Sequence, residues 1–241
     1  TAGISKRENI IDVGLLEFCV REDLNKSAAR VFSVLDPIKL TIENFPDNQT
    51  ETLIGQLNPE DPAAGTREIP FSKHLYIEQD DFKENANRKF FRLTLGKEVR
   101  LKNAYIIKGE SVVKDNMGDI VEIICSYDPD SKSGSGSEAS QRKVKGTLHW
   151  VSQKEAVPIL VRNYDRLFAH PSPDKGEEDF LNHLNPDSFS EAKAFAEPHI
   201  RTTVVGKPCQ FQRKGYYALD PDSETYGQLL FHKTVGLRDN R

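Results

Sequence analysis

The period of the hydrophobic pattern changes at Pro37, and this change constrains the fold more than any other feature of the chain. Before it, apolar residues recur at helical spacing over residues 5–35, with a break near 23–27 and a second helical run at 28–35. After it, short runs alternate apolar and polar residues and end at Gly, Pro, Asn or Asp, as β-strands do. These runs are 38–44, 50–57, 67–78, 88–95, 98–113, 119–127, 142–152, 157–163, 207–219 and 228–235.

Few helices are predicted between these runs. Helical patterns cover residues 80–87 and 177–184, and a further one is compatible with 188–196. Residues 114–118 have the composition of a hairpin turn. Because strands do not alternate with long helices, we expect a mainly β chain with antiparallel barrels or sandwiches rather than a parallel sheet.

Composition excludes several classes of protein. The chain has 241 residues, of which 37% are hydrophobic, which is enough for one or two cores and too much for a disordered chain. No apolar run is long enough for a transmembrane helix, and no secretion signal opens the sequence. The three cysteines are far apart, which indicates neither a disulfide framework nor a zinc site. We expect a cytoplasmic protein with no metal and no membrane partner.

Positive charge is concentrated in one part of an acidic chain. The net charge is −4, yet residues 83–108 contain eight basic and two acidic residues. A second basic group lies at 142–145. Such a distribution indicates an anionic partner bound at one place. Four of these residues are candidates for phosphate contacts: Arg88, Lys89, Lys143 and Lys145.

Strand alternation interleaves cations with aromatic rings. In the fourth run, Phe91 and Leu93 share one face, while Arg88, Phe90 and Arg92 share the other. In the seventh run, Trp150 is expected inside, and Lys143, Lys145 and His149 outside. Cations beside an exposed ring suit single-stranded nucleic acid, whose bases stack on aromatic side chains. The alternative is a solvated strand face that carries Lys to prevent aggregation.

Several segments together resemble one protein family. Residues 95–108 (LGKEVRLKNAYIIK) and 143–152 (KVKGTLHWVS) resemble the anticodon-binding region of glutaminyl-tRNA synthetases, which are class I aminoacyl-tRNA synthetases. Four shorter segments resemble the same region in the same order, so the resemblance covers essentially the whole chain: 21–25, 36–40, 164–168 and 234–239.

The resemblance implies an architecture of two antiparallel six-stranded β-barrels preceded by a short helical segment. Residues 1–35 would be the helical remnant of an upstream domain. Residues 36–90 and 185–241 would form the barrel proximal to that domain, and residues 91–184 the distal barrel.

The resemblance also implies roles for individual residues. Family members unstack the three anticodon bases and hold each in its own pocket. The matching positions are Arg30, Gln210 and Arg213 for the middle base, Arg92 for the third base, Arg100 and Lys102 for the first base, and Arg238 for a tRNA contact or a contact within the barrel.

The chemistry of these residue types fits such roles. Arg donates two parallel hydrogen bonds to guanine, and a Gln amide suits the mixed edge of uracil. Two positions depart from the family pattern: Lys102 stands where Arg is expected, and Gln212 where an acid is expected. Structural alternatives remain open, because Arg30 can cap or pair within its helix, Arg100 can pair with an acid, and Arg238 can brace the barrel.

Family members attach glutamine to tRNA with ATP and magnesium in a separate N-terminal domain. The HIGH-type and KMSKS-type motifs of that domain are not found in this sequence, nor is any catalytic constellation. We therefore expect a monomeric chain that binds glutamine tRNA, not DNA, carries no cofactor and does not aminoacylate tRNA alone. The alternatives are the barrels of a eukaryotic or archaeal glutamyl-tRNA synthetase, or a non-catalytic protein-interaction module.

Overall fold

The computed structural model describes residues 13–175 and 178–238. The predicted helical start at residues 5–12, Glu177 and Asp239 lie outside the described residues. The first described element is helix α1 (Val13–Ser27), which contains most of the first predicted helical run, and a short helix, α2 (Glu138–Gln141), follows later. Single turns of 3-10 helix occur at Pro62–Ala64, Gln79–Asp81, Pro129–Ser131, Phe180–His183, Pro198–Thr202 and Ser223–Tyr226.

Sixteen strands make up the described β structure. In chain order they are β1 (Ala29–Val31), β2 (Ser33–Val34), β3 (Pro37–Ile42), β4 (Thr50–Gln56), β5 (Thr66–Ser72), β6 (His74–Glu78), β7 (Glu98–Leu101), β8 (Ile106–Lys114), β9 (Ile120–Asp128), β10 (Thr147–Leu148), β11 (Val151–Ser152), β12 (Val157–Tyr164), β13 (Phe189–Ala196), β14 (Cys209–Phe211), β15 (Gly215–Leu219) and β16 (Leu229–Gly236).

The strands form two barrel-like sheets of seven strands each, and β4 and β5 form a separate hairpin. Sheet A has the order β1-β14-β15-β16-β12-β13-β2, and sheet B has the order β10-β7-β8-β9-β3-β6-β11. The mainly β, two-barrel prediction is confirmed, although each sheet has seven strands rather than six. The sheets are also mixed, because β1–β14, β12–β16, β7–β10 and β3–β9 pair in parallel. These partners are distant in sequence, which gives the chain the long connection that parallel pairing needs.

Sheet membership divides the chain differently from the boundaries that the resemblance implies. Strands β3 and β6, which fall in 36–90, are hydrogen-bonded in sheet B together with β7, β8 and β9. Strand β12, which falls in 91–184, belongs to sheet A with β13 to β16. Sheet A therefore takes its strands from residues 29–34, 157–164 and 189–236, and sheet B takes its strands from residues 37–42, 74–78 and 98–152.

In several segments the observed secondary structure differs from the one that the local sequence pattern predicts. The predicted helix at 28–35 is strands β1 and β2, and the helical alternative at 188–196 is strand β13, whose eight residues all pair with β12. Residues 80–87 and the described part of the second predicted helix, 178–184, contain only single 3-10 turns. Residues 88–95 form no strand, because their backbone pairs with loops, as in the bonds from Leu93 N to Asp81 O (3.0 Å) and from Lys83 N to Leu93 O (3.1 Å).

Each sheet encloses its own core. The core of sheet B also takes in the β4–β5 hairpin: Phe71 of β5 and Trp150 are fully buried and make an edge-to-face contact at 5.1 Å between centroids, and Tyr105 packs against Phe71. In sheet A, Phe211 stacks on Tyr217 at 4.2 Å. Among the described helices, none is long and apolar enough to cross a membrane. The described residues also contain no group of three or more metal-ligating side chains.

A buried acid at the end of β6, Glu78, links the two barrels. Glu78, at the end of β6, accepts hydrogen bonds from the backbone N–H groups of Leu35 and Asp36 and pairs with Lys214 of the β14–β15 turn at 2.9 Å. Burial alone would raise the pKa of Glu78, but the hydrogen bond and charge of His149, followed by the charge of Lys214, lower it to about 2. These contacts of Glu78 bring the β14–β15 turn against the basic segments of sheet B.

Candidate nucleic-acid interface

Two adjoining cavities lie where the segment 83–97 meets the segment 143–147. Their volumes are about 530 and 600 Å³, within the range of ligand sites. We call the pair the basic groove. Its lining is dominated by cations and two aromatic rings: Lys83, Arg88, Lys89, Phe90, Phe91, Arg92, Lys97, Lys108, Lys145 and Arg213.

Gly146 allows the two walls of the groove to meet. Its backbone approaches that of Phe91 so closely that an added Cβ would lie 2.4 Å from the Phe91 carbonyl oxygen. On its other side, the Gly146 carbonyl accepts a hydrogen bond from Arg100 N of β7 at 2.9 Å. The run 142–146 is therefore fastened to sheet B and to the Phe91 segment, and only residues 147–148 and 151–152 of the predicted 142–152 strand pair as strands.

The groove interleaves cations with aromatic rings, as the sequence predicts, although the geometry differs. Lys83 lies over the Phe90 ring at 5.3 Å, and Lys145 over the Phe91 ring at 5.4 Å. Phe91, predicted to share a face with Leu93, is 51% exposed whereas Leu93 is fully buried, because no strand forms here to impose alternation. His149, predicted to face outward, is fully buried beside Glu78.

Arg92 and Arg213 enter the groove from different barrels and share one buried carboxylate. Arg213 donates to both oxygens of Asp81, at 2.6 and 2.7 Å, and Arg92 Nε lies 3.3 Å from the same group. Asp81 is only 1% exposed, whereas Arg92 is 45% and Arg213 31% exposed. Burial lowers the pKa of Arg213, but hydrogen bonding to Asp81 outweighs it and the net shift is upward. Both guanidinium groups are thus held in place with part of each open to solvent.

Arg30 and Gln210 lie side by side in sheet A. They are register partners in the parallel pair β1–β14. Arg30 donates to Asn25 at 3.1 Å, and Gln210 donates to the Tyr216 hydroxyl at 2.9 Å, which itself lies 3.3 Å from the same Asn25 oxygen. Arg30 therefore lies on a strand rather than on a helix. Its Nε is buried without a hydrogen-bond partner, as is Oε1 of Gln212.

Lys102 lies close enough to Arg30 and Arg213 to be affected by their positive charges. Burial lowers the pKa of Lys102 first, and the positive charges of Arg30, Arg67 and Arg213 lower it further. The structure therefore brings together four cations from both barrels. Arg67 was not singled out from the sequence, although it shares a strand face with the core residue Phe71, and it pairs with the buried Glu197.

The other predicted residues lie apart from the groove. Arg100 donates to Ser131 O, Ser133 Oγ, Ser140 O and the carbonyl of Arg142, at 2.8 to 3.2 Å, so it fastens the 131–142 loop. The predicted alternative, in which Arg100 pairs with an acid, is not seen among the described residues, and nearby Glu98 pairs with Arg142 instead. Lys143 is exposed and lines neither cavity, and Arg238 is exposed beyond β16.

Two family models match the chain, at residues 28–128 and 147–220, and both describe the anticodon-binding domain of class I (E and Q) tRNA synthetases. The chain belongs to this family. The chain is 52% identical over 239 residues to a glutamine–tRNA ligase of Rhodopirellula baltica, and 47% identical over 237 residues to those of Salmonella newport and Salmonella heidelberg. These alignments cover 98% of the chain but only 39% to 42% of the relatives, so the chain spans about two-fifths of their length.

Membership of the anticodon-binding family confirms the resemblance seen in the sequence, and tRNA is the partner of such a domain. The first model covers β1 to β9, and the second covers β10 to β15. The basic groove takes residues from both matches: 83–108 lies in the first, Thr147 and Arg213 lie in the second, and Lys145 and Gly146 lie between the two. It has the charge that an RNA backbone requires.

Proposed function

We propose that this anticodon-binding domain recognises the CUG and UUG anticodons of glutamine tRNA. It would do so as part of a glutamine–tRNA ligase in which ATP and magnesium act outside this chain. The names of the relatives and their 47% to 52% identity over nearly the whole chain support glutamine over glutamate. Because the matched models cover both E and Q members, the barrels themselves leave the choice of amino acid to experiment.

The observation that carries the proposal is the pair of arginines on Asp81. Arg92 uses Nε on Asp81 and Nη1 on the Asp80 carbonyl (2.9 Å), so the rest of its fork remains free in the groove. A fixed guanidinium with free N–H groups suits the O6 and N7 acceptors of guanine, the third base of both anticodons. Arg213, Arg30 and Gln210 would form the pocket for the middle base, with Lys102 beside it.

Four lysines and arginines would contribute to affinity without selecting sequence. Arg88, Lys89 and Lys145 line the groove, and Lys143 lies on the run that forms its wall. Contacts of such side chains with phosphates make binding salt-dependent but do not distinguish bases. Arg100 would act on the first base only indirectly, through the loop that it fastens, and Arg238 remains a candidate for a backbone contact.

Binding of an anticodon stem-loop tests the proposal. The CUG loop should bind the chain, and changing its third base should weaken binding by about 1–3 kcal/mol, the contribution of one good bidentate contact. Arg92→Ala should remove this preference. Lys193→Ala is the matched control, since Lys193 is an exposed cation on β13 of sheet A, and it should keep the preference.

Two results would contradict the proposal. Equal affinity for both loops, with only a salt dependence, would mean that the groove binds phosphates without recognising the anticodon. Tighter binding of a loop with a glutamate anticodon would assign the domain to glutamate tRNA.

A further inference from the structure

Phe91 is an aromatic ring held open within a strongly basic surface. It is 51% exposed and lines both cavities of the basic groove, where Arg92 and Lys145 line them too. Its neighbour Leu93 is fully buried in the core of sheet B. The exposure of Phe91 therefore does not arise from a loosely packed segment.

The backbone that carries this ring is held in place. The bonds between Leu93 and the 81–83 turn, at 3.0 and 3.1 Å, and the bond from Phe90 N to the Asn87 carbonyl, at 3.1 Å, hold the segment. Gly146 packs directly against the Phe91 carbonyl. A ring on an ordered backbone stacks on a ligand with less loss of conformational entropy, because the main chain does not need to be ordered on binding.

A cation is already paired with this ring. The Lys145 ammonium lies 5.4 Å from the Phe91 centroid, and Lys145 is exposed and carries no ion pair with any described carboxylate. An exposed cation–π contact is weak, so the ammonium can move to a phosphate at small cost. On the same cavity wall, Arg88 adds a second exposed cation.

An aromatic ring beside an exposed cation suits one unpaired nucleotide, whose base can stack on the ring and whose phosphate can bind the cation. We propose that Phe91 and Lys145 form a nucleotide subsite, in which a base of the anticodon loop stacks on Phe91 while Lys145 binds its phosphate. This inference rests on the proposed function. It adds a contact that is insensitive to base identity beside Arg92, which recognises a base by its edge, because every base presents a π face.

The test uses 2-aminopurine, a fluorescent base that stacking quenches, placed singly at each unpaired position of the CUG stem-loop. One position should be quenched on binding, and Phe91→Leu should abolish that quenching and weaken binding roughly 5- to 100-fold. Phe91→Trp should restore both, since it returns the π face. Phe189→Leu is the matched control, because Phe189 is also 51% exposed but lies on β13.

Lys145→Gln tests the phosphate contact of the subsite separately from the stacking contact. It should leave the 2-aminopurine quenching in place and lower the salt dependence of binding by about one phosphate contact. Binding of Phe91→Leu within twofold of the unchanged chain, or quenching that survives in it, would overturn the inference.

A single-stranded oligonucleotide containing 2-aminopurine distinguishes this inference from the proposed function. If third-base discrimination persists while Phe91→Leu has no effect on either probe, the subsite is wrong and the anticodon assignment stands. If the chain binds the two stem-loops equally but Phe91→Leu still weakens its binding to the oligonucleotide, the anticodon assignment is wrong and the subsite stands. An oligonucleotide that neither binds nor is quenched overturns the subsite.

Discussion

At the scale of single residues, one buried carboxylate organises much of the site. Asp81 contacts Arg213 from sheet A and Arg92 from the groove, and it is only 1% exposed. A buried carboxylate with two arginine partners holds both guanidinium groups in fixed orientations, and fixed orientation is what recognition of a base edge requires.

Asp81→Asn should therefore affect both stability and recognition. The substitution removes the charge that both arginines contact and should lower the free energy of unfolding by about 1.5–3 kcal/mol, the range for hydrogen bonds to charged groups. It should also reduce the preference for guanine at the third anticodon position. Urea unfolding and stem-loop binding measure the two effects.

Asp47→Asn provides the matched control for Asp81. Asp47 pairs with Lys73, but its side chain is 78% exposed. We expect no measurable change in stability or binding, since surface pairs contribute little. Equal effects of the two substitutions would show that burial of Asp81 is not what matters.

At the scale of elements, the sequence predicts features whose signals are local. Helix α1 and the β8–β9 hairpin with its turn at 114–118 follow from periodicity and turn composition. Strands β1 and β2 were missed because runs of three and two residues show no period, and they exist through pairing with β14 and β13. The Ala-rich β13 looks helical locally, but pairing with β12 overrides that preference.

The site shows the same division. Charge concentration and the aromatic content of 88–92 were evident from the sequence, because they depend on composition. Which side chains of this segment point to solvent was not evident, since side chains alternate between two faces only in a strand, and residues 88–95 form no strand. The family resemblance grouped Arg30 with Arg213 at the middle base but assigned Lys102 to the first base. That Lys102 lies near both depends on how the barrels pack, which the local sequence does not show.

Gly146 tests how closely the two segments of the groove must meet. In Gly146→Ala, the new Cβ would lie 2.4 Å from the Phe91 carbonyl oxygen and 3.0 Å from Val99 Cγ1, and backbone cannot yield as a side chain tip can. We expect a loss of about 1–3 kcal/mol of stability, as for other overpacked sites, together with weaker stem-loop binding. Thermal unfolding and a binding titration check the two effects.

Gly236→Ala is the matched control for Gly146→Ala. An added Cβ at Gly236 on β16 meets only the Arg238 carbonyl at 3.4 Å, an ordinary contact. It should leave binding unchanged. If Gly146→Ala is equally neutral, the two segments of the groove have more freedom than their contact indicates.

At the scale of the whole molecule, Glu78 joins the two barrels. Its carboxylate contacts the Leu35–Asp36 backbone where the chain leaves sheet A for sheet B, and it also contacts Lys214 and His149. The two sheets are thus joined by charge, and the groove depends on this joint, because Arg213 is next to Lys214. A joint made by an ionised carboxylate weakens when that carboxylate is protonated.

The pH dependence of stability tests this joint. The pKa of Glu78 is about 2 in the folded chain and 4.5 in the unfolded chain, so its contribution is complete above 4.5 and is lost as pH falls toward 2. The shift corresponds to about 3 kcal/mol. In urea unfolding, Glu78→Gln should be less stable than the unchanged chain by about that amount at pH 6 and by much less near pH 2. Glu68→Gln, at an exposed position of β5, should follow the unchanged chain at both pH values. A deficit of Glu78→Gln that is equal at both pH values would mean that the ionised carboxylate does not join the barrels.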